Sequence, residues 1–426
     1  MGTSTSSFGV GRRESHDSTD FYARFAAPEI SDDDELGTPG ELDVVHVGDA
    51  RDMSAVPDAS VALVVTSPPY FAGKEYETAL GEGHVPGDYI EYLTMLRDVL
   101  SECVRTLEPG GRIAVNVANL GRRPYRSLAA DVTTILQDDL RLLLRGEVIW
   151  QKQRGASGSC AWGSYQSPAN PVLRDTTERV IIASKGRFDR VGRGAAGRDQ
   201  PGEATIPGDE FMEATLDVWE IPAESATRVG HPAPFPVALV ERCVQLFTYA
   251  GDVVLDPFMG SGTTAVAAVN TGRHYIGYDT DAMYVRQARE RVGSMVPEAP
   301  RDRRTLKELA RTLLVDAGFV EVEENVRVAP GVTVSLRAIG SDGVPRLFEV
   351  AGTHTPARPG LNRIDTIWRT IAKAAIVREA HPDTDLVVLT SGTVRGGPLA
   401  SVVGAGRPIA AVVDVTRADA AERLAP

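Results

Sequence analysis

The sequence predicts an α/β protein, with a doubly wound, largely parallel sheet over residues 42–298 and a smaller α/β domain over residues 305–426. Three observations carry that expectation. The apolar runs Val61-Ala62-Leu63-Val64-Val65 and Val253-Val254-Leu255 read as strands buried on both faces. Each is followed at once by a turn segment rich in Pro or Gly, Thr66-Ser67-Pro68-Pro69-Tyr70 after the first and Asp256-Pro257-Phe258-Met259-Gly260-Ser261-Gly262-Thr263-Thr264 after the second. Around them strand-like and helix-like segments alternate, and open sheets of that kind gather ligands at the carboxyl ends of their strands.

Residues 1–41 are rich in Ser, Asp, Gly and Glu, include Asp32-Asp33-Asp34-Glu35, and are expected to form an acidic disordered tail. Structure is expected to begin at the strand Asp43-Val44-Val45-His46-Val47, ending in Gly48-Asp49. A helix from about Tyr89 to Leu107 has spaced apolar positions and stops at Pro109-Gly110-Gly111. Arg112 to Val117 is the next strand, a helix lies near residues 126–140, and strands follow at Gly146 to Gln151 and Glu178 to Ser184. The segment Ala161 to Pro171 between those strands is rich in turn formers and aromatic residues, and residues 186–215 read as a long exposed insertion. The sheet resumes with His231-Pro232-Ala233-Pro234-Phe235-Pro236, a helix over 237–249, the glycine loop with its helix, and the strand Tyr275 to Tyr278. After an Arg-rich linker at 301–304 come a helix over 305–317, strands over Val322 to Ile339 and Arg346 to Val350, a helix over 361–380, and strands at Leu386 to Thr390 and Ile409 to Val413.

With 426 residues, 42% of them hydrophobic, the chain can bury sizeable cores. It contains no apolar stretch long enough to span a bilayer, and its polar start lacks a signal-peptide apolar region, so no membrane association and a cytoplasmic location are expected. Cys103, Cys160 and Cys243 are an odd set without metal-ligand spacing, and neither a disulfide framework nor a metal site is expected. The net charge of -13 is unevenly spread. Residues 1–42 hold nine Asp or Glu against three Lys or Arg, whereas residues 139–198 hold eleven Lys or Arg against five Asp or Glu. A nucleic acid would meet the second region, although a solvated charged face has the same composition.

Ser67-Pro68-Pro69-Tyr70 preceding the Asp256 to Thr264 loop resembles the S-adenosylmethionine-dependent amino-methyltransferases of DNA, in the permuted order called the beta class, over about residues 42–295. The resemblance implies a Rossmann-like methyltransferase sheet, double-stranded DNA as substrate, and S-adenosyl-L-methionine as cofactor. It assigns catalysis to Ser67, Pro68, Pro69 and Tyr70: the Ser67 hydroxyl and the Pro68 carbonyl accept the amine hydrogens, Pro68 and Pro69 fix the turn, and Tyr70, with Phe71, stacks on a flipped base. It places Asp256, Phe258, Gly260, Ser261, Gly262 and Thr263, with Thr66, around the methionine part of the cofactor, Asp279 on its ribose, Asp49 on its adenine, and His231 and Phe235 at the methionine end.

An exocyclic amine is a poor nucleophile because its lone pair is delocalised into the ring, so acceptors for both amine hydrogens are what such chemistry needs. Cytosine C5 methylation would need a cysteine thiolate, presented after a proline in that family, and none of the three cysteines follows a proline. Ser at position 67 tilts the expectation to cytosine N4, with adenine N6 as the alternative. A DNA-binding accessory protein with an inactive methylase half is the reading from another class; RNA or protein methylation is a further alternative. Residues 152–215 are the candidate target-recognition region, with Arg154, Arg174 and Lys185 as phosphate contacts. A separate restriction or defence subunit and a homodimer are the further partners considered.

The α, β, β, β, α, β order after residue 304 resembles the restriction-endonuclease-like fold, with Asp342 and Glu349 near the places of its acidic residues. The chain departs from that pattern at Glu349-Val350-Ala351, where the family has a lysine two residues after the glutamate. A shifted Lys373 could substitute, but the expectation is a non-cutting accessory domain.

Overall fold

The computed structural model describes residues 30–70, 88–119, 125–152, 163–173, 176–190, 202–224, 235–295, 304–353, 360–361, 364–392 and 397–424. Its larger sheet contains β1 (Val44–Val47), β2 (Val61–Thr66), β3 (Leu107–Val117), β4 (Leu143–Gln151), β5 (Thr177–Ser184), β6 (Val218–Glu220), β7 (Val253–Asp256) and β8 (His274–Asp279). They lie in the order β1-β8-β7-β2-β3-β5-β4-β6. Every pairing is parallel except the two made by β5.

The connecting helices are α1 (Tyr89–Thr106), α2 (Leu128–Thr134), α3 (Gly208–Ala214), α4 (Val237–Phe247), α5 (Thr263–Asn270) and α6 (Ala282–Gly293). All six residues of β2 and all four of β7 are buried, because helices cover both faces. One core unites α1 and α2 side chains such as Leu96, Leu100 and Leu128 with Val64 and Leu255; the other unites α4, α5 and α6 with Leu63, Val65 and Val254. From β2 the chain winds outward to β3, and from β7 in the other direction to β8. The crevice between the carboxyl ends of β2 and β7 is therefore the topological switch point of the sheet.

Four expectations are corrected here. Helix α1 ends at Thr106, and Leu107 to Gly111 already belong to β3. Residues 30–41 are not a free tail: Ser31 donates to the Gly186 carbonyl at 2.7 Å, Arg187 to the Asp33 carbonyl at 3.1 Å and Gly37 to the Ala59 carbonyl at 2.8 Å. Acidic composition gave no sign of these backbone contacts. Residues 202–215 are not an exposed insertion either, since α3 docks on α4 through a buried Glu210–Arg242 ion pair, with Arg242 5.3 Å from the Trp219 ring.

Lys185 is the fourth. Strand β5 runs antiparallel, so Lys185 emerges at the edge that carries the amino ends of β2 and β3. Its ammonium donates to the Leu107 carbonyl at 2.7 Å and the Arg105 carbonyl at 3.3 Å, where it caps the end of α1. Burial lowers its pKa. It stands at the far edge from Ser67, which removes it from the candidate DNA contacts.

The second sheet has the order β13-β12-β11-β10-β9, with β9 (Val320–Ala329), β10 (Val332–Ile339) and β11 (Pro345–Val350) antiparallel, and β12 (Leu386–Thr390) and β13 (Ala411–Asp414) parallel to β11. Helix α7 (Leu306–Asp316) opens on a capping box formed by Thr305 and Glu308. Helix α8 (Ile364–Ala380) links β11 to β12, and α9 (Ala420–Leu424) closes on α7. The element order matches the expectation. Among the described residues its hydrophobic clusters use side chains of this domain, and a polar tie to the first domain runs from the Leu306 amide to Asp209 Oδ2 at 2.8 Å. Among the described residues no helix is long and apolar enough to cross a membrane.

Candidate active site

At the switch point the ends of β2 and β7 are joined by their side chains. Thr66 Oγ1 donates to Asp256 Oδ1 at 2.7 Å, the Phe258 amide donates to the same oxygen at 3.0 Å, and Thr264 Oγ1 donates to Oδ2 at 2.6 Å. Thr66, Asp256 and Thr264 are fully buried. Burial pushes the Asp256 carboxyl up to about 6 even though three donors favour its charged form. Thr66 and Asp256, expected to touch a cofactor, thus brace the loop between β7 and α5 from inside the core.

The loop is further tied to β8 and α6. Gly260, at φ 50°, donates its amide to Asp279 Oδ2 at 2.8 Å, and the Asp281 amide donates to Asp279 Oδ1 at 2.9 Å. Burial raises the Asp279 pKa. A carboxylate offers about four lone-pair directions, so Asp279 keeps acceptor capacity beyond these two bonds.

Gly262, at φ 84°, is needed for α6: a Cβ there would meet the Ala288 Cβ at 2.8 Å. Arg291 of α6 reaches the Ser261 carbonyl and Thr263 Oγ1, both at 3.3 Å. Gly262, Ser261 and Thr263 therefore hold the loop against α6, which sequence reasoning had read only as cofactor contacts. Phe235 is buried in the core beside α4. Asp49, past the end of β1, binds Arg51 at 2.5 Å on a more exposed rim.

The Ser67 side builds a polar cluster. Ser67 Oγ lies 2.7 Å from the Tyr70 hydroxyl. That hydroxyl donates to Glu178 Oε2 at 3.0 Å, and Asn116 Nδ2 reaches both the Tyr70 oxygen at 2.9 Å and Glu178 Oε2 at 2.6 Å. Lys152 pairs with the other oxygen of Glu178. The Pro69 carbonyl accepts from the Tyr92 hydroxyl at 2.6 Å, which fixes the Pro-Pro turn against α1. Tyr70 is 7% exposed, its ring in the core and its hydroxyl in this cluster, so the expected stacking surface is turned inward here.

Glu178, Asn116 and Lys152 were not anticipated from the sequence. The available signal was Asn116 between the apolar residues Val115 and Val117, together with Lys152 and Glu178 at the facing ends of an antiparallel pair. Phe71, Arg154, Arg174 and His231 lie outside the described residues.

Among the described basic residues of 139–198, several are engaged in ion pairs within the protein. Arg179 pairs with Glu147, Arg187 with Asp189, and the buried Arg190 with Glu108 and Asp252 at 2.5 Å each.

A model of the DNA methylase family, covering N6 and N4 methyltransferases, matches residues 61–290, a span that contains both segments of the crevice. The chain belongs to the DNA methylase family. Type II methyltransferase M.BglI of Bacillus subtilis is 27% identical over 318 residues, covering 62% of this chain and 89% of its own. Type II methyltransferase M.ScaI of Streptomyces caespitosus is 27% identical over 264 residues, covering 60% of this chain and 82% of its own. The solved structure of a DNA modification methylase from Thermus thermophilus, TTHA0409, complexed with S-adenosyl-L-methionine, is 30% identical with a TM-score of 0.46, covering 60% of this chain and 95% of that one.

In this DNA methylase the second sheet lies beyond the matched span. There Lys373 of α8 reaches Glu349 Oε1 at 2.5 Å, and Ser335 donates its amide and hydroxyl to Oε2 at 3.2 Å each. A pocket of about 260 Å³ beside them is also lined by Thr353, Thr366 and Arg369. Asp342 does not join that group: it sits in the β10–β11 turn, held by Arg346 at 2.6 Å. Its proximity to Glu349 in sequence is undone by β11, which carries the two residues to opposite ends of a strand.

Proposed function

We propose that this DNA methylase transfers a methyl group to the N4 amine of cytosine in double-stranded DNA, as the modification enzyme of a restriction-modification system. The observation that carries the reading is the Thr66–Asp256 bond, which holds Ser67 and the glycine loop in one crevice at the switch point. S-adenosyl-L-methionine, when bound, supplies the sulfonium methyl. The acceptor set fits it, with Asp279 available for ribose hydroxyls and Asp49 on the rim for an adenine amine. Ser67 Oγ and the Pro68 carbonyl accept the two amine hydrogens and favour a pyramidal nitrogen.

Among the described residues the two thiols do not serve a cytosine C5 reaction: Cys103 and Cys243 are core residues, and burial pushes the Cys243 thiol up to about 12. Serine rather than aspartate at position 67 favours N4 over N6. Nucleoside analysis of DNA modified by the purified protein separates the two, with N4-methylcytosine expected and N6-methyladenine overturning the choice of base.

Asp279→Ala is expected to raise the dissociation constant of S-adenosyl-L-methionine by about 10- to 100-fold, the loss of about two hydrogen bonds to a charged acceptor. Isothermal titration measures it, and unchanged affinity would refute the ribose role.

Target reading is assigned to residues 152–176, because they join the carboxyl end of β4 to the amino end of β5, on the same edge as Ser67. Tyr165 and Leu173 there are 68% and 91% exposed. Arg154 and Arg174 remain the proposed phosphate contacts; residues 185–190 lie at the other edge.

The second domain is proposed as a non-cutting accessory module. Lys373 neutralises Glu349, and Asp342 brings no second carboxylate. Incubation of the full chain with unmethylated plasmid and magnesium or manganese is expected to leave the plasmid intact. Breaks that vanish in Glu349→Ala would make this domain a nuclease.

A further inference from the structure

We propose that Glu178 is a positioning residue that fixes the hydrogen-bond direction at Ser67, so that the Ser67 oxygen can only accept from the target amine. The proposal rests on reading Ser67 as the amine acceptor, and it follows from counting protons in the cluster. Glu178 is buried, and as a carboxylate it has no proton to give. Of its two oxygens, Oε1 is taken by the Lys152 ammonium, and Oε2 lies 3.0 Å from the Tyr70 hydroxyl and 2.6 Å from Asn116 Nδ2. The single proton of Tyr70 is thereby directed at Glu178.

The Tyr70 oxygen must then act as an acceptor toward its other neighbours. Asn116 Nδ2, 2.9 Å away, donates to it, and the amide cannot be turned around because its oxygen would face the carboxylate. Ser67 Oγ, 2.7 Å away, also has to donate to it. The one proton of Ser67 is committed inward, and its lone pairs are left for the amine. A serine hydroxyl is otherwise free to rotate and to present its own proton to an N–H, which would repel the substrate. The orientation is set by Glu178 through Tyr70, without contact between Glu178 and the base.

Glu178→Gln is close to isosteric but reverses the logic. Its amide can donate to the Tyr70 oxygen, the Tyr70 proton can turn to Ser67, and the Ser67 proton is released toward the substrate. The expected result is a fall in kcat of about 10- to 100-fold, with KM for DNA and for S-adenosyl-L-methionine within about threefold of wild type. In a Tyr70→Phe background no hydroxyl relays the direction, so the further loss caused by Glu178→Gln is expected to shrink to less than about threefold.

A structural role alone would give the same loss in both backgrounds, and that additivity would overturn the proposal, as would wild-type kcat in Glu178→Gln. Thermal melts accompany each variant. Should Glu178→Gln not fold, Tyr70→Phe alone decides: it keeps the ring and removes the relay, a comparable fall in kcat supports the proposal, and full activity overturns it. Wild-type protein is assayed first on unmodified DNA, where absence of any N-methylated base would overturn the reading of Ser67, and this proposal with it.

Discussion

Ser67→Ala is expected to lower the rate of methyl transfer by about 10²- to 10³-fold while changing the affinity for S-adenosyl-L-methionine by less than about threefold. The substitution removes an acceptor from the position where an amine hydrogen becomes more acidic as the nitrogen is methylated, so the loss falls on the transition state. It leaves Thr66, Asp256 and the Asp279–Gly260 contact untouched, because Ser67 bonds to Tyr70 and these residues bond to one another. Tyr70 keeps Glu178 and Asn116 as partners, and the turn keeps its Pro69–Tyr92 bond, so the protein should melt within a few degrees of wild type. Single-turnover transfer of labelled methyl and equilibrium dialysis of the cofactor measure the two halves separately. Collapse of cofactor affinity in Ser67→Ala would move Ser67 to the cofactor side of the crevice.

The strands that position this crevice were legible because a parallel strand covered on both faces must be a continuous apolar run, and Val61 to Val65 and Val253 to Leu255 are such runs. The two turn segments were legible for a related reason, since Pro and Gly mark where a chain must leave a strand sharply. Roles were less legible than places. Asp256 and Thr66 read as cofactor ligands, yet they spend their bonding capacity on each other, on Phe258 and on Thr264.

A sequence shows that a polar residue ends a buried strand but not which way its side chain turns. Glu178, Asn116 and Lys152 meet only because β5 runs antiparallel between β3 and β4 and brings three strand ends together. Local charge counting failed similarly at Lys185 and Arg190, whose partners come from distant parts of the chain, and at Arg187, which reaches the distant Asp33 carbonyl as well as Asp189. In the second domain the register of β11 separates Asp342 from Glu349, while α8 supplies Lys373 from 24 residues away.

Asp256→Ala is expected to destabilise the first domain by about 3–5 kcal/mol and to impair cofactor binding and methyl transfer together. The alanine leaves Thr66 Oγ1, Thr264 Oγ1 and the Phe258 amide facing a vacated site in the core, and the side-chain bond from the end of β2 to the glycine loop is lost. Asp256→Asn separates the charge from the bonds, since its amide oxygen still accepts and Thr264 can rotate to accept from its NH₂. The pH dependence then identifies the charge. Burial raises the Asp256 pKa from 3.8 to about 6, so the folded state favours the protonated acid. Stability from this group is fully present below the unfolded value and is lost as pH rises through the folded one. Wild type should therefore lose on the order of 3 kcal/mol relative to Asp256→Asn between about pH 4 and pH 6, because each pH unit between the unfolded and folded pKa values contributes about 1.36 kcal/mol. The difference should be constant above that window. Urea midpoints for both proteins across this range measure it. Parallel curves for the two proteins would mean that Asp256 folds with its charge at no cost, and that burial is not what governs this carboxylate.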